Sequence, residues 1–410
     1  MPHRVHCRDT WWRGKSMVFL AVLHISSAAA ASRSSVNNAL LVLFSQVTDG
    51  RIGPQVEVWR VSSDGKADFL KGFGPASPWI QGYPSYWPVP SPDSRMVAFV
   101  RDLNVWIWDV ERDKVWKVTR IGRPGDTGYA DVLTLVGPWS RDGKKVVYCV
   151  TNSNWSSGGM TDLVDPRKVR RAPYGSYVYD IALRRSRLVS GTGWDVVGWD
   201  ANDEVLLQPS PPSASLFSVD AGGRLRKVWE DPGLGGGIPR IGHISVGGNG
   251  SKLIAFVRAD GYRLRTTGEC GDIVEIDLRK GTVRILTTYS SDESASHWVC
   301  RAILSPSGSH VAWMGKPRRR VLGMFGGWYS ALVVDGRERL RIPPCDADAV
   351  KRIGAHTPGR SVFPVPEIWI DERTVVLICR AELTVVDVTT GRILGRHPIQ
   401  HGNESSPPAK

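Results

Sequence analysis

Seven times along the chain an apolar run stops at a turn former, breaks for a few polar residues, and resumes as a second short apolar run. Six of the seven place an aspartate at the break. These are Asp109 in NVWIWDVERDKVWKVT, Asp180 in SYVYDIALRRSRLVSG, Asp220 in SLFSVDAGGRLRKVW, Asp277 in DIVEIDLRKGTVRILT, Asp335 in SALVVDGRERLRIP and Asp387 in LTVVDVTTGRILG. The seventh, VEVWRVSSDGKADFLK, has Ser62 at that point. An acidic side chain closing a strand accepts hydrogen bonds from the amides of the turn that follows, so these aspartates are expected to hold turns, not to react. Successive landmarks lie 47, 71, 40, 57, 58 and 52 residues apart. Repeats of this size suit one small four-stranded sheet each, arranged radially.

The other half of each unit agrees. Turn formers precede an uninterrupted apolar run at SPDSRMVAFV, SRDGKKVVYCV, DANDEVLLQ, GGNGSKLIAFV, SPSGSHVAWM and DERTVVLIC. Runs with little polar alternation belong to strands covered on both faces. No stretch keeps a helical period between caps. The 17 Trp, 43 Gly and 27 Pro fit short strands joined by turns. The fold expected is all-β, a seven-bladed β-propeller of four-stranded antiparallel blades, strands a to d. The first blade has clear b, c and d strands over 39–71 and no clear strand a. It is either three-stranded or completed by the tail after Arg396, where the prolines of HPIQHGNESSPPAK make a poor strand.

SPDSRMVAFVRDLNVWIWDVERDKVWKVT resembles the WD-like repeat of TolB-type propellers and of the propeller domains of prolyl-oligopeptidase relatives, and ILSPSGSHVAWM and GPWSRDGKKVVYCV carry the same signature. The resemblance covers most of residues 39–397. It implies a fold and leaves the activity open, because unrelated functions share this scaffold. Peptidase chemistry is not expected. No hydrolase domain is seen after the propeller, and GGWYSALVV has Trp328 and Leu332 where a nucleophile elbow needs glycines.

Arg4, Arg8, Arg13 and Lys15 precede the apolar MVFLAVLHI (Met17–Ile25), and SSAAAAS follows it. This is the three-part pattern of a secretory signal over residues 1–31, too short for a membrane span. The expected organisation is a signal peptide (1–31), one propeller domain (32–397) and a disordered tail (398–410), secreted or periplasmic. Losing those four cations and Asp9 takes the formal charge from +13 to +10. Cys149, Cys270, Cys300, Cys345 and Cys379 are scattered and contain no CxxC, so no thiolate metal site is expected and any disulfide pairing stays open. No P-loop, zinc motif or Asp box is present, and no cofactor is expected.

Antiparallel alternation sends the a–b and c–d turns to one end of each blade and the b–c and d–a connections to the other. The first class is short throughout. The long connections, over 72–87, 120–131, 230–240, 288–298, 344–366, 151–175, 259–271 and 315–329, all belong to the second. Long connections on one rim carry function in many folds. Flat aromatics suit sugar rings or a protein anchor, and arginine clusters suit carboxylate, phosphate or sulfate. The ligand-binding candidates are therefore Trp79, Trp87, Trp155, Arg170, Arg171, Trp298, Arg318, Arg319, Arg320 and Trp328. The bland alternative is that the tryptophans pack between blades and the arginines are solvated. The expected role is an exported, monomeric binding module for a protein or an anionic glycan of the envelope, with nucleic acid disfavoured by the compartment. The alternative is a carbohydrate-active propeller enzyme, for which Asp126, Asp131, Asp162, His243, Asp292, Glu293, His297, His356 and Glu367 are the acid–base candidates.

Overall fold

The structure, a computed structural model, describes residues 38–45, 55–75, 88–101, 104–121, 133–151, 174–191, 193–209, 215–230, 242–246, 250–257, 272–287, 302–315, 318–319, 328–343, 364–379 and 382–398. The expected signal peptide lies outside these residues, as does all of the expected tail except Pro398.

Seven antiparallel sheets follow in chain order. The first holds β1 (Asn38–Ser45), β2 (Gln55–Ser62) and β3 (Ala67–Pro75). The second holds β4 (Val89–Pro90), β5 (Met96–Arg101), β6 (Asn104–Asp109) and β7 (Lys114–Lys117). β8 (Leu133–Trp139), β9 (Lys145–Thr151), β10 (Gly175–Asp180) and β11 (Arg185–Ser190) form the third. β12 (Trp194–Trp199), β13 (Val205–Pro209), β14 (Ser215–Val219) and β15 (Leu225–Glu230) form the fourth. The fifth comprises β16 (Gly242–Val246), β17 (Lys252–Val257), β18 (Asp272–Asp277) and β19 (Thr282–Ile285). In the sixth, β20 (Ala302–Leu304), β21 (Val311–Met314), β23 (Trp328–Val334) and β24 (Arg337–Ile342) are joined by a short β22 (Arg318–Arg319) that pairs with β23. The seventh has β25 (Val365–Trp369), β26 (Thr374–Ile378), β27 (Glu382–Asp387) and β28 (Arg392–Pro398). The chain is a seven-bladed β-propeller.

The strands a (β4, β8, β12, β16, β20, β25) lie against one another around the ring, and β1 takes the seventh place between β25 and β4. By direction β1 is nevertheless a strand b. It starts at Asn38 and Leu40 against Ser94, in the β4–β5 turn, at the end of the blade where each strand b begins. Among the described residues the first blade therefore has no strand a, and its strand b takes that place in the inner ring.

The core lies between blades, as the unalternated apolar runs require. At the seam of blades two and three, Ala98, Val105 and Ile107 meet Trp139, Val146, Tyr148 and Tyr179. Between blades six and seven, Ala312, Met314, Leu332 and Val334 meet Trp369, Val375, Leu377 and Val386. Such buried side chains contribute roughly 1.5–3 kcal/mol each. The last seam packs Val376, Ile378, Leu383 and Val385 against Ala39, Leu41 and Val61. There the β2–β3 turn touches the body of β28, where His397 Nε2 sits 2.6 Å from the Gly65 carbonyl oxygen. Among the described residues the first and seventh blades meet by packing, and β28 completes its own blade.

Several boundaries differ from the sequence reading. Trp328 and Tyr329, placed in a connection above, begin β23, because Arg318–Arg319 supply their backbone partners in the register Arg318↔Tyr329, Arg319↔Trp328. β3 continues to Pro75 and β28 to Pro398, paired with Gln55 and Glu382. Not every connection of the second class is long: 102–103, 191–193 and 379–381 are short.

Candidate functional site

The rim carrying the a–b and c–d turns satisfies itself. In the β4–β5 turn Ser91 Oγ donates to Asp93 (2.6 Å) and accepts from the Met96 amide (2.9 Å). Ser140 repeats this with Asp142 (2.7 Å) and the Lys145 amide (2.9 Å). Asp200 does both jobs with one carboxylate, accepting from the amides of Asn202 (2.7 Å) and Glu204 (3.0 Å), and burial pushes its pKa up.

At the c–d turns, Asp109 accepts from the amide of Arg112, Asp180 from that of Leu183 and Asp220 from that of Arg224. Asp277 accepts from the amides of Arg279 and Lys280, and Asp387 from those of Thr389 and Thr390. The amide of Arg224 is the main cause holding Asp220 below the usual carboxylate range. Asp335 behaves differently. It sits with Gly336 in a two-residue turn with both φ positive (52° and 81°), which leaves no following amide in reach. Its carboxylate instead accepts from the Val311 amide (2.9 Å) and faces His310 Nδ1 (2.6 Å).

Three tryptophans ending strands a form a device that periodicity alone did not reveal. Trp139 Nε1 donates to the Val89 carbonyl (2.8 Å), Trp199 Nε1 to that of Pro138 (3.1 Å) and Trp369 Nε1 to that of Ile303 (3.2 Å). Each ties an inner strand to the inner strand of the preceding blade. A signal was available in the sequence: Trp139 and Trp199 stand directly before a turn cluster, and Trp369 one residue before one. None of the three is among the ligand-binding candidates.

Of the ligand-binding candidates, Trp79, Trp87, Trp155, Arg170, Arg171, Trp298 and Arg320 lie outside the described residues. Arg318, Arg319 and Trp328 are brought together by the β22–β23 hairpin, with Arg319 and Trp328 paired across it. Of the acid–base candidates, Asp126, Asp131, Asp162, Asp292, Glu293, His297 and His356 also lie outside. His243 is on inner strand β16, and Glu367, on inner strand β25, is wholly buried. A carboxylate sealed in that way does not reach a sugar in the channel. Among the described residues no group of three or more His, Cys, Asp or Glu is placed to hold a metal. No helix among them is long and apolar enough to cross a membrane. Cys379 is in a disulfide, and the Cys149 thiol lies 3.0 Å from Ser176 Oγ.

No family model matches the chain, and no curated protein matches it in sequence. Solved structures resemble it. TolB from Acinetobacter baumannii is 15% identical over 76% of this chain and 81% of that one, with a TM-score of 0.36. An acylaminoacyl peptidase from Pyrococcus horikoshii is 12% identical over 90% of this chain, with a TM-score of 0.46. This chain spans about half of that peptidase, covering 51% of it. The β-propeller domain of the Trilobed protease from Pyrococcus furiosus is 11% identical over 90% and 96%, with a TM-score of 0.45. These are likenesses of fold. At such identities and scores no activity transfers.

Proposed function

We propose that the protein is an exported binding module, and that it engages a protein or an anionic envelope glycan through the rim from which the long connections leave. One observation carries this reading. The described turns of the opposite rim are short and engage their own Ser and Asp side chains with their own amides, so the long connections are left to the other rim. The sequence gathers the candidate arginines and tryptophans in the long connections, and the β22–β23 hairpin pairs Arg319 with Trp328 at the base of one of them. The Cys379 disulfide fits an oxidising compartment.

The test is a sulfated-glycan array and a salt titration of the hits. The Arg318→Ser/Arg319→Ser/Arg320→Ser variant should bind more weakly and show a shallower salt dependence. An affinity that does not change across the titration would remove this patch from the reading. Turnover of any array glycan would favour the enzyme alternative.

A further inference from the structure

Each blade ends in an outer strand whose outward edge has no strand partner among the described residues: β3, β7, β11, β15, β19, β24 and β28. Open edges recruit other strands, and charged side chains placed on them are a common deterrent. All seven strands carry cations, and on six of them at least one cation is held by a neighbour. Lys71 of β3 pairs with Asp113 (2.9 Å), and Lys117 of β7 lies over the Trp106 ring (5.6 Å). Arg226 of β15 pairs with Glu204 (3.0 Å) and Arg284 of β19 with Glu275 (3.0 Å). Arg341 of β24 pairs with Glu338, and Arg396 of β28 with Glu382 (3.5 Å).

β11 departs from this pattern. Arg185 and Arg187, with Arg184 in the turn before them, are exposed and have no acidic partner among the described residues. Asp180 stands opposite Arg185 in register, but its carboxylate is turned to the Leu183 amide (2.9 Å). Arg184 also holds a positive φ of 51°, at the turn position filled by Gly281 and Gly391 in the fifth and seventh blades. Keeping an arginine there costs about 1–2 kcal/mol of backbone strain. Two exposed leucines flank the set, Leu183 (69% exposed) and Leu188 (46%). Exposed apolar side chains also stand on β3 (Phe69), β7 (Val115), β15 (Leu225) and β19 (Ile285), so what sets β11 apart is the unheld arginines beside its leucines.

The register says what fits. Arg187 stands across from Val178, which packs toward the fourth blade, and Arg185 lies two residues away on that same face. Leu188 stands across from Tyr177, which packs toward the second blade. We propose that β11 is a docking edge for an extended acidic segment of a partner protein. That segment adds as a further strand, with carboxylates at alternate positions beside Arg185 and Arg187 and an apolar side chain against Leu188. Neutral and basic strands leave the guanidinium groups uncompensated, so the same residues that deter general pairing select an acidic one. This surface lies on the circumference and does not depend on the long rim.

The probe is a labelled peptide of about ten residues alternating Glu and Val, read by fluorescence anisotropy. Its controls are the same composition with the glutamates in one block, and the alternating sequence with a central proline. The alternating peptide should bind, and Arg185→Glu/Arg187→Glu should weaken it about tenfold or more. Leu188→Ser should weaken it severalfold, and β11 amides should gain protection from hydrogen exchange. Arg337→Glu on β24 serves as the control, expected to leave binding unchanged, and thermal melts verify that each variant is folded. Absence of binding, equal binding of the block or proline peptide, indifference to the double reversal, or protection away from β11 would each overturn the proposal.

Discussion

Replacing Gly395 with Ala tests how the ring closes. A Cβ built on Gly395 would lie 2.1 Å from the Gly65 carbonyl oxygen, with the Gly65 carbonyl carbon at 3.0 Å. Carbon–oxygen contacts ordinarily sit at about 3.3–3.6 Å, so the turn must retreat by roughly 1 Å or more. Both sides of the clash are backbone, and no rotamer relieves it. The turn is also hemmed in, since Gly65 itself has a φ of 93° and closes on the Leu394 backbone. Retreat breaks the His397–Gly65 hydrogen bond of 2.6 Å. Overpacking of about 1–3 kcal/mol plus a lost hydrogen bond of about 1 kcal/mol gives about 2–4 kcal/mol. At about 2 °C per kcal/mol, the expected fall in Tm is roughly 4–8 °C. Gly223→Ala is the comparison: its φ is 82°, but nothing lies within 4 Å of the new Cβ. It should cost only the left-handed strain, about 1–2 kcal/mol. The assay is a urea titration and a thermal scan of both variants. A Gly395→Ala protein as stable as the parent, or less affected than Gly223→Ala, would refute closure by this backbone contact.

Three further outcomes are expected. Ser94 holds a positive φ of 59° and its hydroxyl accepts from the Leu40 amide (3.1 Å), whereas the matching Gly250 would place a Cβ 2.3 Å from the Asp200 carbonyl carbon. Ser94→Gly should therefore change stability by only about 1 kcal/mol, and Gly250→Ser should cost more than about 2 kcal/mol; equal effects in denaturant titrations would defeat the comparison. Trp369→Phe keeps an aromatic ring in its seam but leaves the Ile303 carbonyl without its indole donor. The expected loss is about 1–3 kcal/mol, and a midpoint matching the parent would remove the rung from the account. Burial works against the charge of Asp387, yet the Thr389 hydroxyl, the amides of Thr389 and Thr390 and the Arg373 guanidinium hold its pKa at about 2, against an ordinary 3.8. The unfolded chain takes up the proton first as pH falls, so this contribution is full above about pH 4 and lost toward about pH 2. Asp387→Asn should flatten the acid limb of stability against pH; an unaltered slope would count against that carboxylate.

Blade number, strand identity and turn position were legible because they depend on local chemistry. A strand covered on both faces has to be apolar at every position, and the c–d break has to hold a residue that can cap a turn. VVYCV and NVWIWD say so without reference to anything distant. The closure of the first blade and the tryptophan ties between inner strands depended on neighbours far away in the chain.

Even those had faint local signs. The β4–β5 turn reads SPDS where the third blade reads SRDG. Gly143 holds a φ of 68°, and a Cβ there would stand 3.3 Å from the Asp93 carboxylate of the preceding blade. The second blade has no a–b turn before it, so Ser94 fits and reaches β1 instead. For the candidate site the local record was thinner. Arg318 and Arg319 could be named as cations, but that they share a hairpin with Trp328 and Tyr329 is a matter of pairing.

The sequence by itself determined a radial all-β repeat with its long connections on one rim, since periodicity and antiparallel alternation require no knowledge of distant contacts. Only the tertiary structure decided that β1 closes the inner ring, that Gly395 must meet Gly65 without a side chain, and that the arginines of β11 lack the neighbours that hold a cation on each of the other outer strands. The reason is physical. Closure, steric fit and charge pairing arise between residues up to 332 positions apart, as His397 and Gly65 are, and no local pattern records which distant groups will share the same few ångströms.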